Sequence, residues 1–196
     1  MDRKEFLKSA GLAGLGTGLC CALGRNAAAQ EQEQAVTAPT HSCQEKVDFA
    51  QGWVTRFMDV LDGDLDPATR ARIMEANGKA CFRAYMKSVD RQITPVPFES
   101  WAEKVRQHPE ADLRVDGRTI HLAYLTNYQG KPVPEGACLC PLVESKPAGL
   151  SPTYCHCSVG YIVEWLGQTF RRPVKVELKE SVLRGGTRCR FTIDVA

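Results

Sequence analysis

The chain has 196 residues, 43% of them hydrophobic and 24% charged, which is an ordinary composition for a globular domain. This length is enough for one domain with a buried core. Its 25 basic and 23 acidic residues nearly balance. No basic run or stripe occurs, so we expect no nucleic-acid partner.

The first 29 residues have the features of an export signal. Arg3 and Lys4 precede the sequence E-F-L-K, a weakly apolar run spans residues 9–24, and three alanines at 27–29 suit cleavage. The start resembles a twin-arginine signal, with Lys4 in place of the second arginine. The apolar run is shorter than the roughly 20 residues that a membrane-spanning helix needs. We therefore expect a mature chain without a membrane span.

Soluble export has one alternative, a lipoprotein anchor at Cys20 or Cys21. We favour a periplasmic or secreted protein because Leu19 is a poor residue directly before a lipidated cysteine. Removing residues 1–29 takes away four basic and two acidic residues, which leaves 21 of each. Residues 30–42 are polar and predict a flexible leader, and residues 43–196 predict a single cysteine-rich domain.

The first half of this domain is predicted to be helical. Apolar residues at three- and four-residue steps predict a helix over residues 43–61. Asp66 followed by Pro67 is typical of an N-cap and a first helical position. The second helix is predicted to break or bend at Asn77-Gly78 before it resumes to residue 89. A capping box over Ser100–Glu103 predicts a third helix that ends near residue 108.

The second half contains strand patterns around one further helix. A D-G turn between residues 113–115 and 118–124 predicts a β-hairpin. One apolar face over residues 158–170 predicts a helix. Residues 174–178 and 189–193 alternate and predict a final hairpin that packs on that helix. The predicted fold class is therefore α+β, with N-terminal helices packed on an antiparallel sheet and a C-terminal helix–β-hairpin.

Two C-x-C pairs, Cys138/Cys140 and Cys155/Cys157, dominate the chemistry of the sequence. Sulfurs two residues apart point the same way on an extended backbone, and we predict residues 137–143 to be extended. Brought together by the loop between them, the pairs would form a four-thiolate cage, which suits zinc. His156 would then point away from the metal. A protein that folds in the reducing cytosol before twin-arginine export would carry metal-loaded thiolates.

Three alternatives to a metal site remain open for these cysteines. They could form disulfides across the loop, remain as free thiols in the core, or take part in redox exchange. Redox exchange is the weakest of the three because its usual motif is C-x-x-C. Cys43 lies at the start of the first predicted helix and is not expected in the site.

Several short motifs fill the last forty residues. They are C-H-C-S-V-G-Y at 155–161, L-G at 166–167, P-V-K-V-E at 173–177 and R-G-G-T-R-C-R-F at 184–191. Together they resemble the C-terminal half of 4-vinyl reductase domains. In metal-binding members of that family three cysteines are spaced along this stretch. Cys155 and Cys189 match the first and third places, while Ser181 occupies the second. The resemblance adds Cys189 to the metal ligands and requires Cys138, Cys140 or Cys157 to replace the missing one.

Earlier motifs resemble a related bacterial group that includes L-2-amino-thiazoline-4-carboxylic acid hydrolases. They are M-E at 74–75, G-K-A-C at 78–81 and C-L-C-P-L at 138–142. The group has a cysteine before the glycine, where this chain has Asn77. The resemblance implies a mixed fold with a pocket for a small, often apolar molecule between helices and sheet.

Two functions follow from these features. The first is an exported small-molecule-binding or sensory domain with a cysteine-ligated structural metal, and we take it as the working hypothesis. Five aromatic residues could line its pocket or simply form core: Trp53, Phe57, Tyr161, Trp165 and Phe170.

The alternative is a hydrolase of a small cyclic amide or thiazoline-type substrate. It would use a metal-bound water or a cysteine nucleophile with a histidine, for which Cys81 and His121 are the candidates. Without such a role, Cys81 is predicted to be a small buried residue or to face the cysteine site. His121 would then be a half-buried strand residue.

Export makes a direct prediction about the start of the mature chain. Because residues 1–29 carry the signal features, N-terminal sequencing of protein from its native source should find a start near Gln30, in the periplasmic or secreted fraction. An intact Met1 in most molecules would remove the export hypothesis.

Overall fold

The computed structural model describes residues 41–108, 112–124, 127–128, 131–138, 140 and 149–196. In these ranges the α-helices are α1 (Cys43–Asp64), α2 (Pro67–Ser88), α3 (Phe98–Gln107) and α4 (His156–Phe170). The strands are β1 (Leu113–Asp116), β2 (Thr119–Ala123), β3 (Asn127–Tyr128), β4 (Lys131–Pro132), β5 (Val174–Glu180) and β6 (Arg190–Val195). Two short 3-10 helices, Pro152–Cys155 and Val182–Arg184, precede α4 and follow β5.

The first two helices begin at local caps. Ser42 and Glu45 form a reciprocal capping box at the start of α1, which extends to Asp64, three residues beyond the predicted end. The Asp66 carboxylate accepts hydrogen bonds from the backbone N–H groups of residues 68 and 69, and Pro67 follows it. The prediction of Asp66 as the N-cap is therefore confirmed.

The predicted interruption of the second helix at Asn77-Gly78 is wrong, because α2 is continuous from Pro67 to Ser88. Gly78 does not bend the helix; it allows the backbone of α4 to pack closely against α2. A Cβ atom there would lie 1.9 Å from the carbonyl oxygen of Cys157, and one at Gly160 would lie 1.8 Å from that of Glu75. The two glycines thus let the backbones of α2 and α4 approach more closely than any side chain would permit.

The predicted start of the third helix is also wrong. α3 begins at Phe98 with Pro97 as its N-cap, and no side chain caps it. The Ser100 hydroxyl donates to the Pro97 carbonyl oxygen at 3.0 Å, within the first turn. Phe98 is buried, so tertiary packing fixes where this helix begins.

Four strands form an antiparallel sheet in the order β1-β2-β6-β5, and β3 pairs with β4 separately. Helices before this sheet, and α4 followed by β5 and β6, confirm the predicted α+β class. The register of the last pair differs from the prediction by two residues: Val174 lies opposite Val195, and Leu178 opposite Phe191. A shift of two residues keeps every side chain on its predicted face.

The inner face of the sheet packs against α2, α3 and α4 in one large core. Phe82, Ile120, Ile162 and Phe191 are among its fully buried members. A smaller apolar cluster joins α1, α2 and the segment before α4 through Met58, Leu61, Met74, Leu150 and Tyr154. Three of the predicted metal-ligand cysteines pack against this second cluster: Cys138, Cys140 and Cys157.

α1 presents a second apolar face to solvent. Phe49, Trp53 and Val60 are 69%, 53% and 56% exposed, and Trp53 stacks on Phe57 with ring centroids 5.2 Å apart. Among the helices of the described ranges, none is long and apolar enough to cross a membrane.

The contact of α2 with α4 predicts a large effect of Gly78→Ala. The added methyl group would meet the Cys157 carbonyl at 1.9 Å, so we expect a loss of about 1–3 kcal/mol or more in the free energy of unfolding. The control is Gly63→Ala, since nothing lies within 4 Å of a Cβ there. That helical substitution should stabilise the protein by about 0.5–1 kcal/mol. Equal urea midpoints for the two variants would contradict the close contact.

Candidate functional site

Six thiols on α2, the start of α4, residues 138 and 140 and the segment before β6 form one network of electrostatic interactions. All cysteines of the described ranges are free. The six influence one another electrostatically; this thiol cluster consists of Cys81, Cys138, Cys140, Cys155, Cys157 and Cys189. Cys43 opens α1, roughly 28 Å along that helix from Asp62 at 1.5 Å per residue.

The second C-x-C pair does not lie on an extended backbone, so that prediction is wrong. Cys155 and His156 are both right-handed helical, at the junction of the 3-10 helix and α4. Because helical residues two apart do not share a face, the two thiols diverge. Cys155 is buried toward Ser181 and Arg184. Cys157 accepts a hydrogen bond from Asn77 Nδ2 at 3.6 Å and faces α2.

The thiols of the first C-x-C pair interact with those of the second pair. Cys140 Sγ lies 3.1 Å from the Tyr154 hydroxyl, and the Cys140 thiol interacts with both Cys155 and Cys157. The Cys138 thiol interacts electrostatically with those of Cys140, Cys189 and Cys155. Residues 137, 138 and 140 belong to no strand, and the remainder of the predicted extended segment, residues 139 and 141–143, lies outside the described residues. The structure therefore brings all five predicted metal ligands into one cluster.

Burial favours the protonated form of four of these thiols, Cys138, Cys155, Cys157 and Cys189. Desolvation raises the pKa of Cys138 and of Cys157 to about 12, and neighbouring thiols add to the effect. Burial likewise raises the pKa of Cys155 and of Cys189. The thiolate is the form that binds metal, so a nearby positive charge is needed to ionise the cluster.

Ser181 adds a polar group to the same place. Its side chain is fully buried, and its hydroxyl oxygen has no hydrogen-bond partner at normal distance among the described residues. Its neighbour is Cys155, whose pKa burial raises and the Ser181 hydroxyl lowers. A buried hydroxyl without a partner costs about 1–3 kcal/mol. Ser181 thus faces the cluster.

The six thiols are gathered but not at ligand spacing. Within the part of the chain that the structure describes, no three histidine, cysteine, aspartate or glutamate side chains lie close enough to hold a metal ion. Soft sulfur donors are the right type for zinc, so the donor set fits this metal while its spacing does not. Metal binding here requires the cluster to contract.

The structure does not bring the two predicted catalytic residues together. Cys81 is exposed on α2, so the prediction of a buried residue is wrong, and it interacts with Cys140 and Cys157. It therefore faces the cysteine site, as the alternative prediction states. His121 lies in β2 opposite Arg114 and Thr192, on the face of the sheet turned away from the core. A Cys81–His121 pair would have to act across the sheet.

The five predicted pocket aromatics are also dispersed. Trp165 and Phe170 are buried in the large core, and Tyr161 meets Phe82 edge-on with ring centroids 5.1 Å apart. Trp53 and Phe57 lie on the exposed face of α1. These residues therefore line no common pocket, and the three on α4 are mainly core.

A polar clamp that sequence reasoning missed holds the segment before α4. Asp62, near the end of α1, accepts hydrogen bonds from the hydroxyls of Ser151 and Thr153, the latter at 2.7 Å. Arg70 Nη1 lies 3.3 Å from its carboxylate and donates to its backbone carbonyl at 2.9 Å. Burial raises the pKa of Asp62, but these hydrogen bonds and Arg70 outweigh it and hold the pKa below its usual value. No motif marks this contact across 89 residues.

A cleft of about 300 Å³ opens beside the clamp, between the α1–α2 turn, the start of α4 and Arg184. His156 forms part of its wall, with Nε2 3.4 Å from Arg184 Nη2 and Nδ1 3.8 Å from Glu75 Oε1. Burial lowers the pKa of His156, and Arg184 lowers it further. His156 thus faces the cleft wall.

Comparison with known sequences gives no family assignment. No protein-family model matches this chain. No curated protein matches it either.

Several solved structures are similar at low identity. Trafficking protein particle complex subunit 3 from Naegleria fowleri, covalently bound to palmitic acid, has 14% identity and a TM-score of 0.45, covering 79% of this chain and 97% of its own. An H-NOX protein from S. oneidensis in the Fe(II)NO ligation state has 15% identity and a TM-score of 0.38, with coverage of 86% and 83%. A vinyl-4-reductase family protein from Methanocaldococcus jannaschii has 15% identity and a TM-score of 0.30, with coverage of 82% and 85%. At these scores we base function on the side chains of this chain alone.

The raised thiol pKa values predict alkaline instability of metal-free protein. Unfolding returns the pKa of Cys138 and of Cys157 from about 12 to the ordinary 9.0. The stability that depends on these protonated thiols is therefore complete below pH 9 and is lost as pH rises toward 12. Because pH 10.5 lies 1.5 units above the unfolded pKa, each thiol should then cost up to about 2 kcal/mol. Urea unfolding with chelator and reductant should therefore show a steeper fall between pH 8 and 10.5 than in a Cys138→Ser/Cys157→Ser variant. Parallel curves would contradict the burial of these thiols.

Proposed function

We propose that the chain is a small-molecule-binding domain in which the thiol cluster holds a structural zinc ion. Cys138, Cys140, Cys155 and Cys157 would supply thiolates, with Cys189 as the further ligand. The observation that carries the proposal is the electrostatic interaction of thiols from four separate segments, two of them buried and three half-buried. Cysteines that serve only as small core residues would have no reason to lie near one another.

Zinc would supply the charge that this place lacks. Buried neutral thiols have raised pKa values, and a bound divalent cation deprotonates coordinating thiols outright. Contraction around the ion would also draw the two C-x-C pairs together and tie the segment before α4 to residues 138–140. Because the ligands lie on different elements, the free energy of binding becomes free energy of folding.

The cluster has more thiols than one tetrahedral ion requires. This surplus favours a closed structural site over one with an open position for water. A hydrolase that uses metal-bound water needs that open position. The version that uses Cys81 and His121 is disfavoured by their places on either side of the sheet. We therefore retain the binding domain and not the hydrolase.

Cys155→Ser tests the metal site. Cys155 is buried at the centre of the interactions with Cys138, Cys140 and Cys157, so its loss should lower zinc content well below one ion per chain and reduce the urea midpoint. Cys43→Ser is the matched control and should change neither. Elemental analysis and unfolding of the same preparations measure both quantities.

The response to chelator and reductant separates zinc from disulfides. A strong chelator should destabilise the wild-type protein, and added zinc should restore its stability. If the chelator has no effect and a reductant unfolds the protein, the cysteines are cross-links and the zinc proposal fails.

A further inference from the structure

Two arginines with different electrostatic surroundings face the cleft beside the thiol cluster. Arg70 is paired with the Asp62 carboxylate at 3.3 Å, so the charges of that pair balance. Arg184 has no such partner: in the described part of the chain, its guanidinium makes no ion pair with a carboxylate. Its neighbours are His156, whose Nε2 lies 3.4 Å from Arg184 Nη2, and the Cys155 thiol. Imidazole carries no negative charge in either protonation state, so it leaves Arg184 uncompensated.

Arg184 is held in place by its backbone. It ends the 3-10 helix Val182–Arg184, whose Val182 side chain is 1% exposed. The backbone N–H groups of Arg184 and Gly186 both donate to the Ser181 carbonyl oxygen at 3.0 Å, and Gly185 has a φ of 87°. This turn fixes the backbone position from which the exposed Arg184 side chain reaches the cleft.

The remaining walls of the cleft set the size and character of a ligand. Pro67 and Pro152 line it with rigid apolar rings. The volume of about 300 Å³ lies at the lower end of small-molecule sites. The four charged or titratable groups in its wall are Asp62, Arg70, His156 and Arg184; with a neutral imidazole they sum to one positive charge.

We propose that this cleft binds a small monocarboxylic acid, with its carboxylate on Arg184 and its short apolar body between Pro67 and Pro152. The guanidinium offers two parallel N–H groups to the two oxygens of a carboxylate, the geometry for which arginine is best suited. This inference rests on the small-molecule-binding part of the proposed function and does not require zinc in the thiol cluster. It gives that function a place and a ligand class.

Ligand-observed NMR and calorimetry on the full chain can test the proposal with acetate, butyrate and benzoate. Acetamide, butyramide and benzamide have matching shapes without the charge. We expect the acids to bind, butyrate and benzoate more tightly than acetate, and the amides to bind at least about tenfold more weakly. Equal binding of acids and amides, or none by any acid, would overturn the proposal.

Arg184→Gln should weaken acid binding at least about tenfold. The matched control is Arg114→Gln, which removes the same charge from the exposed, outward face of β1. It should leave binding unchanged, and an equal loss in both variants would reduce the effect to general charge attraction and contradict the site. Arg184→Lys should recover part of the affinity.

Zinc content, measured on the same samples, separates this inference from the proposed metal site. Arg184→Gln with normal zinc and lost acid binding supports the cleft. Normal zinc with acid binding unaffected by Arg184→Gln overturns the cleft and leaves the metal site intact. A wild type that binds the acids but contains no zinc when purified under reducing conditions would overturn the metal site and leave the cleft intact.

Discussion

The close contact between α2 and α4 is the constraint on which the candidate site depends. Gly78 and Gly160 face the opposite backbone at distances that exclude even a methyl group. This contact places Asn77 against Cys157 and lets Cys81 interact with the same thiol. Were the helices held apart by ordinary side chains, the thiols of α2 and α4 would separate by several ångströms, and the cluster would lose its connection to α2.

The segment before α4 is the second requirement. Its backbone carries Cys155 into the cluster and His156 to the cleft, and it is fixed from the side by the Asp62 carboxylate through Ser151 and Thr153. Cleft and cluster therefore share one piece of structure. They also share the turn over residues 181–186, where Ser181 faces Cys155 and Arg184 faces the cleft.

Local signals in the sequence predicted most of the fold. Asp66-Pro67, the D-G hairpin turn and the alternation of the last strands depend on nearby residues, and the structure confirms them. Gly78 was misread because its role comes from a helix 80 residues away, which no local pattern shows. The start of α3 was misread for a similar reason, since burial of Phe98 outweighs the Ser100–Glu103 motif.

For the site, the sequence predicted the residue type involved, cysteine, better than it predicted the backbone conformation. The predicted cysteines interact electrostatically, yet the predicted extended backbone at Cys155–Cys157 is helical. The clamp at Asp62 and the lack of a carboxylate partner for Arg184 among the described residues depend on contacts between distant segments. They could not be predicted from spacing along the chain.

X-ray absorption at the zinc edge of zinc-loaded protein tests the central claim most directly. If the thiol cluster closes around one structural ion, the first shell should contain about four sulfur atoms at roughly 2.3 Å. A shell dominated by nitrogen and oxygen ligands, or failure of the protein to retain zinc under reducing conditions, would contradict it.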